Sequence, residues 1–165
     1  MGSVSNGLDP LERLVAIEEI KILKARYFRF VDTKQWDDLR ACFTADATLE
    51  YVETRKPPMG RDLAMKMLDH WLVGTATVHQ GYMPEIQILS ATTASGIWAM
   101  NDHHHAPTGP NLGFSELKGS GHYHETYEFL EGIWLIKSLR LTRLYVWTSN
   151  IGTAWPEPRQ DGTRG

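Results

Sequence analysis

A chain of 165 residues, 42% hydrophobic and 22% charged, has the length and make-up of one ordinary globular domain. Seventeen basic residues against twenty acidic leave a formal charge of −3, so no basic excess is available to neutralise nucleic-acid phosphates, and no apolar run is long enough to span a membrane. The single cysteine, Cys42, excludes an intramolecular disulfide and a CxxC metal or redox motif. Residues 1–7 lack the basic-then-apolar pattern of a signal peptide, which makes a cytoplasmic protein the default expectation.

Residues 1–8 and 149–165 are small, polar or rich in Pro and Gly and read as flexible or extended tails, leaving 9–148 as a single domain. Asp9-Pro10-Leu11-Glu12 is a helix start, with Asp at the N-cap, Pro at the first helical position and Glu at the third. Apolar residues then recur at Leu14, Ile17, Ile20, Leu23, Tyr27 and Phe30/Val31, in steps of three and four, until Asp32-Thr33-Lys34 breaks the pattern. A short helix is expected over 36–43, a strand over 48–52 and a turn at Pro57-Pro58-Met59-Gly60. A third helix carries Leu63, Ala64, Met67, Leu68, Trp71 and Leu72 on one face.

The second half reads as strands: 75–82 and 85–89 on either side of Pro84, then 94–104, 117–130 and 133–147, the last two joined by a hairpin turn at Glu131-Gly132. Helices first and antiparallel strands afterwards make an α+β fold with the helices on one face of the sheet. A strongly bent sheet folded around helices encloses a cone-shaped pocket, apolar with a few polar groups. Strand alternation puts Leu139, Leu141, Arg143, Tyr145 and Trp147 on one face of the last strand, and their aromatic character places that face inward. Arg143 is then either a paired charge on the cavity side or, if the other face packs in a dimer, merely solvated.

Asp32, at a helix end, and His79, in a strand, could form a dyad in which the carboxylate fixes one imidazole nitrogen and frees the other as a base; a helix cap and a structural histidine are the plainer readings. Tyr27 and Tyr51 could each donate to a carbonyl or hydroxyl oxygen, or simply pack in the core. Asp102 precedes His103-His104-His105, and His122 and His124 share a face of the next strand, so a zinc, iron or manganese site must be weighed. His122-x-His124-x-x-x-Glu128 mimics half of a cupin metal motif, but its flanking glycines and second half are missing. No G-x-S-x-G, P-loop or G-x-G-x-x-G opens a helix; Gly119-Ser120-Gly121 lies within a strand and reads as a bulge, and Cys42 as core.

The stretch Asp32-Thr33-Lys34-Gln35-Trp36-Asp37-Asp38-Leu39, followed by Phe43-Thr44-Ala45-Asp46-Ala47, resembles the SnoaL-like branch of the NTF2-like (cystatin-like α+β cone) superfamily. Val78-His79, the run from Gly121 to Tyr127, and Glu131-Gly132-Ile133-Trp134 are similar to the same branch, over about residues 10–147. Within that branch the chain resembles the dehydratase type of scytalone dehydratase and bile-acid 7α-dehydratase. That resemblance implies a curved, mostly antiparallel mixed sheet with N-terminal helices packed on it. By position it implies catalytic roles for Asp32, His79, Tyr27, Tyr51 and Asp102, and a substrate contact from His104 (or His103); Arg143, Trp98 and Tyr123 are further candidate substrate contacts. Val31 stands where the fungal enzymes place a tyrosine.

The function so implied is a cofactor-free lyase (dehydratase-type elimination) or isomerase acting on a hydrophobic, polyketide- or steroid-like ring compound with a His–Asp base. No metal, nucleic acid or membrane partner is expected, and a homo-oligomer (dimer or trimer) is. The alternatives are a non-catalytic small-molecule binder of the same fold and a metal-dependent enzyme using the histidine-rich patch.

Overall fold

The computed structural model describes residues 9–52, 57–106 and 113–149. Helix α1 (Pro10–Asp32) opens on the expected capping box: Asp9 Oδ1 accepts from the Leu11 and Glu12 amides at 2.7 and 3.0 Å, and Glu12 accepts from the Asp9 amide at 3.0 Å. Its buried stripe is Ala16, Ile20, Leu23, Lys24, Tyr27 and Val31. Leu14, expected on that stripe, is exposed, because at 100° per residue it lies about 120° around the helix from Ile20. The Asp32-Thr33-Lys34 break is a Schellman turn. The Gln35 amide reaches Phe30 O at 2.9 Å and the Lys34 amide Val31 O at 3.4 Å, with Lys34 at φ 59°, the left-handed position that glycine usually fills.

Helix α2 (Trp36–Ala41) ends before the expected residue 43. Pairing with the last strand takes over: Cys42 O accepts from the Ile136 amide at 2.9 Å, and Phe43 begins strand β1 (Phe43–Tyr51), five residues before the expected start at 48. The expected turn at 57–60 contributes a two-residue strand, β2 (Met59–Gly60), paired antiparallel with Thr48 and Leu49 of β1. Helix α3 (Arg61–Leu72) follows and buries Ala64, Met65, Leu68 and Leu72, while Leu63 is exposed. Four long strands complete the described residues: β3 (Ala76–Ile88), β4 (Thr93–His105), β5 (Glu116–Leu130) and β6 (Ile133–Ser149).

The six strands form one curved mixed sheet in the order β2-β1-β6-β5-β4-β3. All neighbours are antiparallel except β1 and β6, which run parallel. Two expected strands around Pro84 are one strand. Proline, which cannot donate to a ladder, is tolerated because β3 is the sheet's edge, and an irregularity between Tyr82 and Glu85 puts Met83 at φ 35° and into solvent. The Glu131-Gly132 hairpin has both residues at positive φ, as a primed two-residue turn requires.

A bulge decides the orientation of β6. Gly121 pairs with Arg143 but Ser120 pairs with Tyr145, so Leu144 is an extra residue and the alternation slips by one. Leu139, Leu141 and Arg143 face inward as expected. Tyr145 and Trp147 do not: beyond the bulge they sit opposite Ser120 and Lys118 and are about half exposed (50% and 47%). The core lies between the sheet's inner face and α1, α2 and α3. Among the described residues, no helix is long and apolar enough to cross a membrane.

Candidate active site

Asp32 is the last residue of α1, where the Schellman turn presents its carboxylate to β3. Oδ1 accepts from Thr77 Oγ1 at 2.9 Å and faces His79 Nδ1 at 2.6 Å, and Oδ2 accepts from the His79 amide at 2.9 Å. A carboxylate accepts only, so this contact assigns the shared proton to Nδ1, and in the neutral form of the ring the lone pair is at Nε2. Lys34 supports the arrangement: its ammonium donates to Thr77 Oγ1 at 2.7 Å and to the helix-end carbonyls of Val31 and Asp32 at 3.2 and 3.3 Å. Burial pulls the Lys34 ammonium below the ordinary lysine range, and the Asp32 charge opposes that pull. The His79 side chain is 8% exposed and that of Asp32 22%.

Residues opposite one another in the β3–β4 ladder place the remaining groups. His79 pairs with Asp102 and Thr77 with His104, all with inward parity. His79 Nε2 lies 4.0 Å from Asp102 Oδ2, and the rings of His79 and His104 meet edge-on at 5.2 Å. Asp102 is bound bidentately by Arg143, Nη1 to Oδ1 at 2.8 Å and Nη2 to Oδ2 at 2.7 Å, with His104 Nε2 at 3.3 Å from Oδ2. Of the two readings of Arg143, the structure shows the paired, inward one. Burial alone raises the Asp102 carboxyl, but the hydrogen bonds from His104 and Arg143 and the guanidinium charge outweigh it and hold the group well below the usual carboxylate range. Burial lowers His104 against the opposing pull of Asp102, so its ring is neutral near pH 7. His104 Nδ1 is buried with no hydrogen-bond partner among the described residues.

The candidate tyrosines form the layer beside this cluster. Tyr27 and Tyr123 are buried, stand edge-to-face with centroids 5.9 Å apart, and interact through their hydroxyls. Tyr51, buried at the end of β1, adds to the electrostatic environment of both. Burial pushes the phenols of Tyr27 and Tyr123 far above their ordinary range, which leaves them as neutral donors. Trp98 is also buried and inward, but its indole N–H is committed to Tyr127 Oη at 2.9 Å.

That bond belongs to a second polar network. Lys24 and Glu125, both with fully buried side chains, meet at 2.5 Å, and Tyr127 Oη donates to the other Glu125 oxygen. The Lys24 ammonium lies 3.9 Å from the Tyr27 ring centroid and 3.7 Å from that of Tyr123. Neither Thr77, Lys34 nor this network stood out in the sequence. The signals were present: Thr77 has the parity of His79, Glu125 that of Tyr123, and Lys24 interrupts an otherwise apolar stripe one turn before Tyr27.

The histidine-rich patch is divided by strand alternation. His103 and His105 point outward beside Glu116, at 4.0 and 3.6 Å, and His122 and His124 occupy the outer face, where His124 meets Thr142 at 3.2 Å. Only His104 joins the cluster. An open groove of about 530 Å³ on that outer face, between Gln87, His124, Ser138 and Arg140, is separate from it. His79, Asp102 and His104 bring ligand atoms within 4.8 Å of one another, close enough to hold an ion. The chemistry of the set argues otherwise: a guanidinium already occupies both oxygens of Asp102, and a dication there would sit against a fixed positive charge.

A curved mixed sheet wrapped on N-terminal helices, with a polar cluster set into its inner face, is the cystatin-like or NTF2-like α+β cone. Residues 12–140 match the SnoaL-like domain family, and the chain belongs to it. It is 27% identical over 132 residues to a Gibberella zeae protein named as a probable cyclase, covering 74% of this chain and 87% of that one. A candidate scytalone dehydratase from Novosphingobium aromaticivorans superposes with a TM-score of 0.73 at 22% identity, over 90% of this chain and 97% of that one. A type 2 hexachlorocyclohexane dehydrochlorinase does so with a TM-score of 0.73 at 21% identity, over 91% and 100%.

Proposed function

We propose that this protein is a cofactor-free enzyme of the lyase or isomerase type, acting on a hydrophobic ring-containing small molecule with His79 as its base. The observation that carries the reading is the 2.6 Å contact between Asp32 and His79 Nδ1, which leaves Nε2 as the basic atom of a nearly buried ring. In a dehydration, Nε2 takes a proton α to a carbonyl. The C–H electrons form the enolate, with Tyr27, Tyr51 or Tyr123 donating to its oxygen. Collapse of the enolate expels the β-hydroxyl, which leaves as water with a proton returned by the His79 imidazolium. In an isomerisation the same proton returns to another carbon.

Asp102 is held ionised, so it acts as the counter-charge of the imidazolium and not as the proton donor. His104 donates to Asp102 through Nε2 and offers its Nδ1 lone pair to a substrate hydroxyl. The names of the similar proteins support the reading, since a dehydratase and a dehydrochlorinase both perform eliminations.

The test is a screen of β-hydroxy ketones and steroid-like alcohols for loss of water, with the wild type and His79→Ala run side by side. General acid–base help is worth about 10²–10⁴-fold, and His79→Ala should forfeit it with fold and ligand affinity nearly intact. Turnover in that variant within about threefold of wild type would remove His79 as the base. Ligand binding without turnover by the wild type would make the protein a binder.

A further inference from the structure

We propose that Gly119 is a positioning residue of the site, its missing side chain forming the slot through which Arg143 crosses β5 to grip Asp102. The role of the gripped pair in turnover rests on the proposed function; the slot itself does not. Arg143 lies on β6 and Asp102 on β4, with β5 between them. Neighbouring strands are about 4.8 Å apart, so the guanidinium must lie flat over the intervening strand to reach its partner. The β5 residue opposite Asp102 is Gly119. A Cβ there would stand 2.5 Å from Asp102 Oδ1 and 2.6 Å from Arg143 Nη1, both far inside van der Waals contact. The obstructed atoms are one arm of the bidentate pair, Nη1 to Oδ1 at 2.8 Å.

Two glycines in one short segment divide the work. A Cβ at Gly121 would meet the Thr142 carbonyl oxygen and the Arg143 Cα, so its bareness is what lets β5 and β6 close on each other where Arg143 leaves the ladder, at the edge of the bulge. Gly119 then clears the path for that side chain. Gly119 has no left-handed backbone conformation, so its requirement is steric and alanine suits its backbone. Any larger residue at 119 must push Asp102 Oδ1, Arg143 Nη1 or both out of their present places, and so disturbs the fork between a buried carboxylate and its counter-ion.

The test compares Gly119→Ala in two backgrounds, wild type and Asp102→Ala/Arg143→Ala, by thermal and urea unfolding. In the wild type the methyl collides with the pair and the Tm falls. Without the pair the groups it would strike are gone, and the Tm is unchanged or rises. If Gly119→Ala alone yields no folded protein, recovery of folding in the triple variant is the same reversal. An equal loss in both backgrounds would overturn the proposal.

Turnover gives the second readout, using the β-hydroxy ketone that responds best in the screen. Gly119→Ala should lower kcat by the same factor as Arg143→Ala, with KM changed less and no further loss when the two are combined. A reversal in stability with kcat untouched by Arg143→Ala would preserve the slot and refute the pair's part in catalysis. Additive losses in kcat would show that Gly119 does not act through Arg143.

Discussion

Replacing Glu125 with glutamine changes almost no volume and removes the only counter-charge that the structure shows against Lys24 among the described residues. Both side chains are wholly shielded from water, so the variant keeps a buried ammonium without its partner. Breaking a buried pair from one side costs about 3–5 kcal/mol. The ring faces of Tyr27 and Tyr123 under the ammonium return about 1 kcal/mol of that. The net loss of about 2–4 kcal/mol should lower the Tm by roughly 10 °C.

The double variant Lys24→Met/Glu125→Gln removes both charges and keeps an amide oxygen as an acceptor for Tyr127, so most of the loss should be recovered. A pH dependence accompanies the single variant. Burial already lowers the Lys24 pKa, and the Glu125 charge and hydrogen bond oppose that shift; without them it falls further. The folded state then binds fewer protons than the unfolded state between the depressed value and about 10.4, so stability rises with pH across that window. Urea unfolding of wild type, single and double variants, at about pH 7 and again near pH 10, measures both effects. A single variant within about 1 kcal/mol of wild type, or one whose stability gap to wild type does not narrow at the higher pH, would refute the buried-pair reasoning.

Two predictions concern the candidate site directly. Lys34→Gly relieves a left-handed residue, a strain of about 1 kcal/mol, and takes the ammonium from Thr77. Its Tm should equal or exceed that of wild type while kcat falls and the pH–rate profile shifts; a variant that loses stability and keeps full turnover would contradict the role given to Lys34. Metal analysis of untagged protein after exposure to zinc, iron or manganese should find well under one equivalent, because Arg143 occupies Asp102. A tightly held stoichiometric ion, displaced by His104→Ala, would assign the cluster to metal chemistry.

Much of the architecture was legible because it rests on local rules. The capping box at Asp9, the periodic apolar stripe of α1 and the Glu131-Gly132 turn each announce themselves within a few residues. What the sequence concealed was decided at a distance. The early start of β1 at Phe43 answers to Ile136, more than ninety residues away. The outward turn of Tyr145 and Trp147 follows from one extra residue, Leu144, whose effect depends on where β5 refuses to pair with it. Side-chain chemistry offered the contact between Asp32 and His79 as one reading among plainer ones, and family resemblance favoured it, since no spacing rule brings a helix end to a strand forty-seven positions later. Thr77 and Asp102 then follow from ladder alternation.

The strand order also dictates a sequence of events during synthesis. β1, made early, finds its two neighbours in a two-residue scrap and in the final strand of the sheet, with which it runs parallel. Until β6 leaves the ribosome, Phe43–Tyr51 has one long edge without a ladder, and α1 covers a platform whose centre has yet to be laid. Contacts that span most of a polypeptide are slow to close and expose sticky edges while they wait. Shortening the chain ahead of β6 would therefore leave no half-sized remnant that stands alone, and the nascent protein depends on its last long strand to become a single cooperative body.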